Sequence, residues 1–512
     1  MTKHMIADQD HEGRLLQHIL RHGSERPDAD ALICGDVTLG WGELRSRVLR
    51  LAGAVHSNLG PGAGRVALIG DVSADLVVAY LAVVAAGKCA VPLQTSLQPD
   101  ALTGMLGNCE PAAVFAAPAF LDQVAGALGP EISVVGLDDG SLQCFEADSR
   151  PLDDAIAANP ETPFNIIYSS GTTGRPKGIV QSHAMRYRQA ARGLFGLTPQ
   201  STMLLATPLY SNTTLMPMIT TLVHGGRVVM MPKFDAEAYL DLAERFGATH
   251  TMLVPVQYRR IMDAASFARR DLSRFEVKQS TGAPLSADDK RRVAEHWPGR
   301  FLEIYGLTEG GCTCVLDVTQ YPEKLHTVGQ PSQNNDIRVI DEDGRDLKPG
   351  ERGEIIGRSP MMMSGYFRNP EATEAFLWRD ADGTIYHRTG DIGVFDDDGF
   401  LTLVDRKKDV IISGGFNVYA SDLEDVLHSN PMVAEAAVIG IPSASWGETP
   451  LGLVVARSGA TLSPAELLDW ANARLGKMQR LSAIEVRSGL PRSAVGKVLK
   501  QDLKRPYWEN NQ

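Results

Sequence analysis

Between residues 168 and 178 the chain reads Tyr168-Ser169-Ser170-Gly171-Thr172-Thr173-Gly174-Arg175-Pro176-Lys177-Gly178. Hydroxyl side chains at Ser169, Ser170, Thr172 and Thr173 alternate with glycines, and two cations close the stretch. Successive backbone N–H groups and hydroxyls can cradle phosphate oxygens, and glycine permits their close approach. Arg175 and Lys177 add positive charge. This is not the G-x-x-x-x-G-K-[ST] phosphate loop, because Lys177 stands between Pro176 and Gly178. A plain Gly/Ser/Thr surface loop is the bland alternative, and the density of these groups argues against it.

Further segments could work on the same ligand. Tyr305-Gly306-Leu307-Thr308-Glu309 offers an aromatic face able to stack on a purine, a hydroxyl for a phosphate, and a hard carboxylate suited to Mg²⁺. In Tyr386-His387-Arg388-Thr389-Gly390-Asp391, the Asp391 carboxylate has two acceptor oxygens, which suits the two hydroxyls of a ribose. His387 invites a general-base role that nothing else in the segment requires. Asp405-Arg406-Lys407-Lys408-Asp409, taken alone, reads as a solvated charge run, and Lys497 as a surface lysine.

The elements that must hold these residues read as α/β alternation. The apolar FNII precedes the 168–178 segment and FLEI precedes Tyr305, so both follow expected strands. Helical spacing of apolar residues predicts a helix over 43–59, ended by Gly60-Pro61-Gly62. RVALIG, a buried helix at DLVVAYLAVVAAG and KCAVPL follow, the order expected of a mainly parallel sheet covered on both faces. Gly60, Gly62 and Gly64 precede a strand and lack G-x-G-x-x-G spacing, so they are not a dinucleotide fingerprint. A second helix is expected over 235–246. From about 328 to 405, short strands alternate with Gly- and Asp-marked turns, which predicts a β-rich subdomain. The stretch from 406 to 512 reads as a separate small α+β domain, with the 405–409 charge run as its hinge. The expected organisation is therefore a large domain over 1–405 and a mobile domain over 406–512.

Fifty basic against 62 acidic residues, without a basic tail, argue against nucleic acid and anionic membrane as partners. The six cysteines form neither a disulfide framework nor a metal-ligand spacing, and are expected to be inert. No apolar signal segment is visible at the start, and the run 76–87 is too short to span a bilayer. A cytoplasmic enzyme is expected.

YSSGTTGRPKG resembles the signature loop of the acyl-adenylate-forming superfamily, which includes acyl- and aryl-CoA ligases, luciferases and nonribosomal adenylation domains. Y-G-x-T-E, the 386–391 segment, D-R-K-K-D, Gly414-Gly415-Phe416-Asn417-Val418-Tyr419 and Pro491-Arg492-Ser493-Ala494-Val495-Gly496-Lys497 follow in family order. The resemblance implies ATP, Mg²⁺ and coenzyme A as cofactors. It places Ser170, Gly171, Thr172, Thr173, Gly174 and Lys177 at the phosphates, Tyr305 against adenine and Thr308 at the α-phosphate. It places Glu309 on the metal, Asp391 at the ribose and Arg406 at the nucleotide. Lys497 would bridge the substrate carboxylate and the α-phosphate. Lys408 would be the hinge, about which Gly414 and Gly415 replace Lys497 for the thioester step. This chain departs from the family with Ala420 where proline is usual after the tyrosine, and with Ser493 where threonine is usual.

The acid is expected to lie near Tyr210, Ser211, Gly282, Ala283 and Gly306, with Gly310 and Gly311 leaving room beside it. These stretches are small or apolar and carry no Arg or Lys, which favours an aromatic or medium-chain monocarboxylate. Tyr258, Arg259 and Arg260 are nearby in sequence and would change that view. The expected reaction is AMP-forming carboxylate–CoA ligation. The alternatives are a stand-alone enzyme loading an acyl carrier protein, or an inactive acyl-nucleotide sensor. A small-molecule carboxylic acid is the expected partner, and a homodimer stays open.

Overall fold

The computed structural model describes residues 9–62, 64–96, 99–129, 131–169, 177–414, 416–476, 479–492 and 498–509. A large N-terminal α/β domain of two mixed sheets carries a third, antiparallel sheet, and a smaller α+β domain follows.

The larger sheet has a parallel interior in the order Asp30–Cys34, Arg227–Met230, Thr202–Leu205, His250–Leu253, Val277–Ser280 and Arg300–Gly306. Antiparallel strands flank it, Val37–Gly40 on one side and Thr313–Asp317 on the other. The second sheet runs Gly365–Tyr366, Lys177–Ser182, Pro163–Ser169, Cys89–Pro92, Arg65–Ile69, Ala113–Ala116 and Ser133–Gly136. Interior strands of both sheets are buried along their length, as parallel strands covered on two faces must be.

Helices fill the space between the sheets. Ala74–Ala85 is apolar all round and buried, and Trp41–Leu59 packs against it with one apolar face. One core joins these helices to both sheets, from Leu32, Met203 and Leu302 to Val66, Phe115 and Phe164. Asp235 caps the helix Ala236–Phe246 by accepting from Ala238 N–H, worth about 1 kcal/mol. Gly247 ends that helix in the left-handed region at φ 58°.

The antiparallel third sheet spans Asp336–Ile340, Gly353–Arg358, Ile385–Phe395, Leu377–Arg379 and Leu401–Arg406. The C-terminal sheet is built from Ile411–Ser413, Phe416–Val418, Val433–Ser443, Gly447–Ala456 and Ala483–Arg487. Helices Ala420–His428 and Pro464–Asn472 close a separate core on it, centred on Leu423, Leu427, Val438 and Leu467.

Candidate active site

The parallel strands of the larger sheet end on one edge, where ligands bind in open α/β sheets. The loops leaving Thr202–Leu205, His250–Leu253, Val277–Ser280 and Arg300–Gly306 carry Tyr210 and Ser211, Val254, Gly282 and Ala283, and Thr308 and Glu309. They are tied together locally. Thr281 Oγ1 donates to the Ile304 carbonyl at 2.9 Å, and a side chain at Gly282 would lie 3.5 Å from Val254 Cγ1.

Three expected nucleoside residues meet. The Tyr305 hydroxyl donates to Asp391 Oδ2 at 2.7 Å, and Arg406 Nε donates to Asp391 Oδ1 at 2.6 Å. Asp391 and Arg406 are opposite partners on antiparallel strands, so backbone register alone puts them together. Thr389 Oγ1 accepts from Asp391 N–H at 3.0 Å and donates to the Ile355 carbonyl, which locks the bend carrying the carboxylate. Burial and then the neighbouring Cys312 and Asp391 push the Tyr305 phenol far above its usual range, so it stays a donor.

Glu309 and Lys177 meet through a residue that the sequence did not single out. Tyr366 donates its hydroxyl to Glu309 Oε1 at 2.9 Å, and Lys177 Nζ stands 5.0 Å from the centre of the Tyr366 ring. Tyr366 lies in a two-residue strand paired to Ile179, too short to show a period of its own. Glu309 Oε2 has no hydrogen-bond partner among the described residues. A half-buried carboxylate with one oxygen held and the other available fits a Mg²⁺ ligand.

Lys177 pairs with Ser169 on antiparallel strands, so the expected phosphate-binding turn is entered from one strand and left by another, and no helix opens at Lys177. The next helix, His183–Ala191, starts only after Ser182 has capped it. Ser170, Gly171, Thr172, Thr173 and Gly174, expected in that turn, lie outside the described residues, as do Gly415 and Lys497.

Around the acid, one expectation needs correction. The space on the side-chain side of Gly310 and Gly311 is already filled by this chain. A side chain at Gly310 would overlap the Met361 carbonyl, and one at Gly311 would stand 2.9 Å from His387 Nδ1. Both glycines sit at positive φ, 70° and 85°, so they serve close backbone packing rather than room for an acid. An arginine from outside the stretches expected around the acid comes near Asn212 from within the core. Arg186, 1% exposed, donates from Nη1 to Asn212 Oδ1 at 2.8 Å. Ser211 caps the helix Asn212–Val223, accepting from Thr213 N–H, and Tyr210 is half-buried with its hydroxyl toward Ser96. Tyr258 is buried in the core with its hydroxyl on the Gln279 carbonyl, Arg259 pairs with Asp289, and Arg260 is exposed.

His387 is 2% exposed, packed on Phe376, and lowered to about 4 by burial. It is a neutral packing residue beneath Gly310. Cys312 and Cys314 are fully buried with thiols pushed up by burial, which fits inert residues.

At the boundary, Lys407 Nζ holds Glu354 Oε2 at 2.9 Å in the large domain, while Lys504 of the last helix faces Asp409 at 3.8 Å. Lys408 lies between them, exposed, in a single 3₁₀ turn. Gly414 N–H donates to the Trp446 carbonyl at 2.8 Å, so its loop packs on the Trp446-Gly447-Glu448 segment. The ends of the Lys497 loop are pinned by pairing of Arg492 with Val498. No helix among the described residues is long and apolar enough to cross a membrane.

Against known proteins, residues 19–367 match the family model "AMP-binding enzyme", and residues 422–497 match "AMP-binding enzyme C-terminal domain". Feruloyl-CoA synthase from an Amycolatopsis species is 32% identical over 493 residues, covering 95% of this chain and 98% of that protein. The fatty acid–[acyl-carrier-protein] ligase ScoC of Streptomyces coeruleorubidus is 29% identical and covers 96% of each chain. ATP-bound MatB from Rhodopseudomonas palustris superposes with a TM-score of 0.89 at 29% identity, covering 98% of this chain and all of that one.

Proposed function

The chain belongs to the AMP-binding enzyme family, and from that premise we propose that it activates an aromatic or medium-chain monocarboxylic acid with ATP and passes the acyl group to coenzyme A. It is an AMP-forming acid–thiol ligase. A carboxylate is a poor acyl donor because its leaving group would be oxide. In the proposed first half-reaction, a carboxylate oxygen attacks the α-phosphorus of ATP in line and pyrophosphate leaves, giving an acyl-adenylate. In the second, a thiol attacks the acyl carbon and AMP leaves. Neither step needs a protein nucleophile, so catalysis is positioning and charge neutralisation.

The Asp391 carboxylate, held between Tyr305 and Arg406, is the observation that carries the reading. Each of its oxygens keeps acceptor capacity for a ribose hydroxyl, beside an aromatic ring for adenine. Thr308 would donate to the α-phosphate, and Lys177 with the 170–174 turn would hold the outer phosphates. Glu309, oriented by Tyr366, would hold Mg²⁺, which supplies charge neutralisation to the pyrophosphate when bound. Lys497 would neutralise charge between carboxylate and α-phosphate. The division of labour about Lys408 is supported by its neighbours, Lys407 being bonded to the large domain and Asp409 facing the small one. Rotation there would withdraw Lys497 and bring in Gly414 and Gly415. The large domain would end at 405.

The small, apolar lining at Gly282, Ala283 and Val254 supports an uncharged acid body, since Arg186 lies beneath Asn212 rather than on the surface of the site. Likeness to a carrier-protein ligase favours one second reading, with a carrier thiol in place of coenzyme A. Pyrophosphate release from ATP and Mg²⁺ over benzoates, cinnamates and C4–C12 acids, with and without coenzyme A, tests both. Acid-dependent pyrophosphate with a stoichiometric thioester supports the first. Pyrophosphate without acylation of coenzyme A points to a carrier.

A further inference from the structure

A line of buried side chains connects the acid side to the expected phosphate side. Arg186 Nε donates to Asn165 Oδ1 at 2.8 Å. Asn165 Nδ2 donates to Gln181 Oε1 at 3.0 Å, and Gln181 Nε2 donates to the Thr308 carbonyl at 2.8 Å. At the other end Arg186 Nη1 donates to Asn212 Oδ1, and to Gln189 Oε1 at 3.0 Å. Asn165 and Gln181 are completely buried. The line therefore runs from the residue after Ser211 to the residue before Glu309.

The line has a sense, set from both ends: Arg186 and, at 3.3 Å, the Tyr80 hydroxyl donate to Asn165 Oδ1, while the Thr308 carbonyl accepts from Gln181. An amide presents either its oxygen or its NH₂, so Asn165 and Gln181 could each face either way. A guanidinium has donors only. With arginine at 186, Asn165 must turn its oxygen inward and its NH₂ toward Gln181. Gln181 must then offer its NH₂ to the Thr308 carbonyl, which can only accept. With an apolar residue at 186, Asn165 Oδ1 keeps only the longer Tyr80 bond, and the line loses its charged donor and its tie to Asn212.

Arg186 is also costly to keep. It has no carboxylate partner among the described residues, and its Nη2 is buried with no hydrogen-bond partner there. A buried, uncompensated charge is destabilising compared with an apolar residue of similar size.

We propose that Arg186 is a positioning residue for adenylate formation: it anchors the Asn165–Gln181 amide line that holds the Thr308–Glu309 segment in place, and couples that placement to the acid seated beside Asn212. The proposal rests on the reading that Thr308 and Glu309 meet the nucleotide.

The test is a double-mutant cycle on the full-length protein with Gln181→Met and Asn212→Ala, alone and together, plus Arg186→Met and Arg186→Lys. Pyrophosphate-release kcat, acid KM, equilibrium MgATP affinity and melting temperature are measured for each. Gln181→Met is expected to lower kcat about tenfold, the factor one net hydrogen bond is worth. The double variant should be no slower than its worse single, because the line acts as a unit. Arg186→Lys, which keeps a donor, should recover most of the rate that Arg186→Met loses. A folded Gln181→Met with wild-type kcat and MgATP affinity, or a double variant whose loss is the product of the singles, overturns the proposal. If Arg186→Met fails to fold, the 181/212 cycle still decides. Failure of the underlying reading looks different, because the wild-type protein itself would then neither bind MgATP nor release pyrophosphate. If wild type binds MgATP but no tested acid turns over, unchanged affinity in Gln181→Met overturns the proposal by itself.

Discussion

Tyr366 holds Glu309 by a 2.9 Å hydrogen bond while its ring lies 5.0 Å beneath the ammonium of Lys177. The phenol thus fixes one carboxylate oxygen, and the other, without a hydrogen-bond partner among the described residues, is the one proposed to meet Mg²⁺. Tyr366→Phe keeps the ring beneath Lys177 and removes only the hydroxyl. The half-saturating Mg²⁺ concentration in pyrophosphate release should rise about tenfold, the worth of one hydrogen bond to a charged group. The melting temperature should hardly move. An unchanged Mg²⁺ dependence would count against Glu309 as the metal ligand.

Lys497 is proposed to act only in the first half-reaction. Lys497→Ala should cripple adenylate formation by at least about a hundredfold, as for other charge-stabilising groups at a transition state. Thioester formation from supplied acyl-adenylate should be largely spared. Equal losses in both half-reactions would remove the assignment.

Gly310 passes directly against the carbonyl of Met361 with φ at 70°. Gly310→Ala adds a carbon where backbone already stands, in a conformation that disfavours it. The cost should be at least about 2 kcal/mol. A clearly lowered melting temperature checks this. A stable variant with altered acid preference would instead restore the reading of Gly310 as a wall of the acid site.

Burial lowers both His183 and His387 to about 4. In the unfolded chain an imidazole titrates near 6.5. Between these values the unfolded state binds protons that the folded state refuses, so stability rises with pH across the window. It is complete above about pH 6.5 and falls as pH drops toward 4, by up to about 3 kcal/mol for each group. Melting temperature measured from pH 7.5 to 4.5 should show this fall. His387→Gln should remove one group's share of the fall and leave that of His183, and an unaltered slope would mean that His387 does not titrate in this window.

What was legible in the sequence was local. The run from Tyr168 to Gly178 announces anion binding because that chemistry needs only consecutive N–H groups, hydroxyls and glycines. The helix after Asp235 was legible because a cap and an apolar spacing are local physics, and its observed start falls one residue from expectation. Less visible were polar residues inside apolar strands, Asn165 in FNII and Gln181 in GIVQS. A polar group at a core position must be bonded somewhere, which was a signal that could have been taken.

Contiguous motifs were enough to assign the chain to its family and so to a kind of enzyme, since each motif's residue types state the ligand they suit. Which residue touches which came from the packing of segments far apart in the chain. Tyr305 finds Asp391 86 residues away, Glu309 finds Tyr366 57 away, and Arg186 finds Asn212 26 away. None of these contacts has a period or a spacing rule, because each joins separate elements: the larger sheet to the third sheet, the loop after Gly306 to a strand of the second sheet, and one helix to another. The glycines at 310 and 311 make the same point from the other side. Their identity announces space, but whether a ligand or the chain's own Met361 fills it depends on a backbone about fifty residues downstream, packed there by the antiparallel sheet.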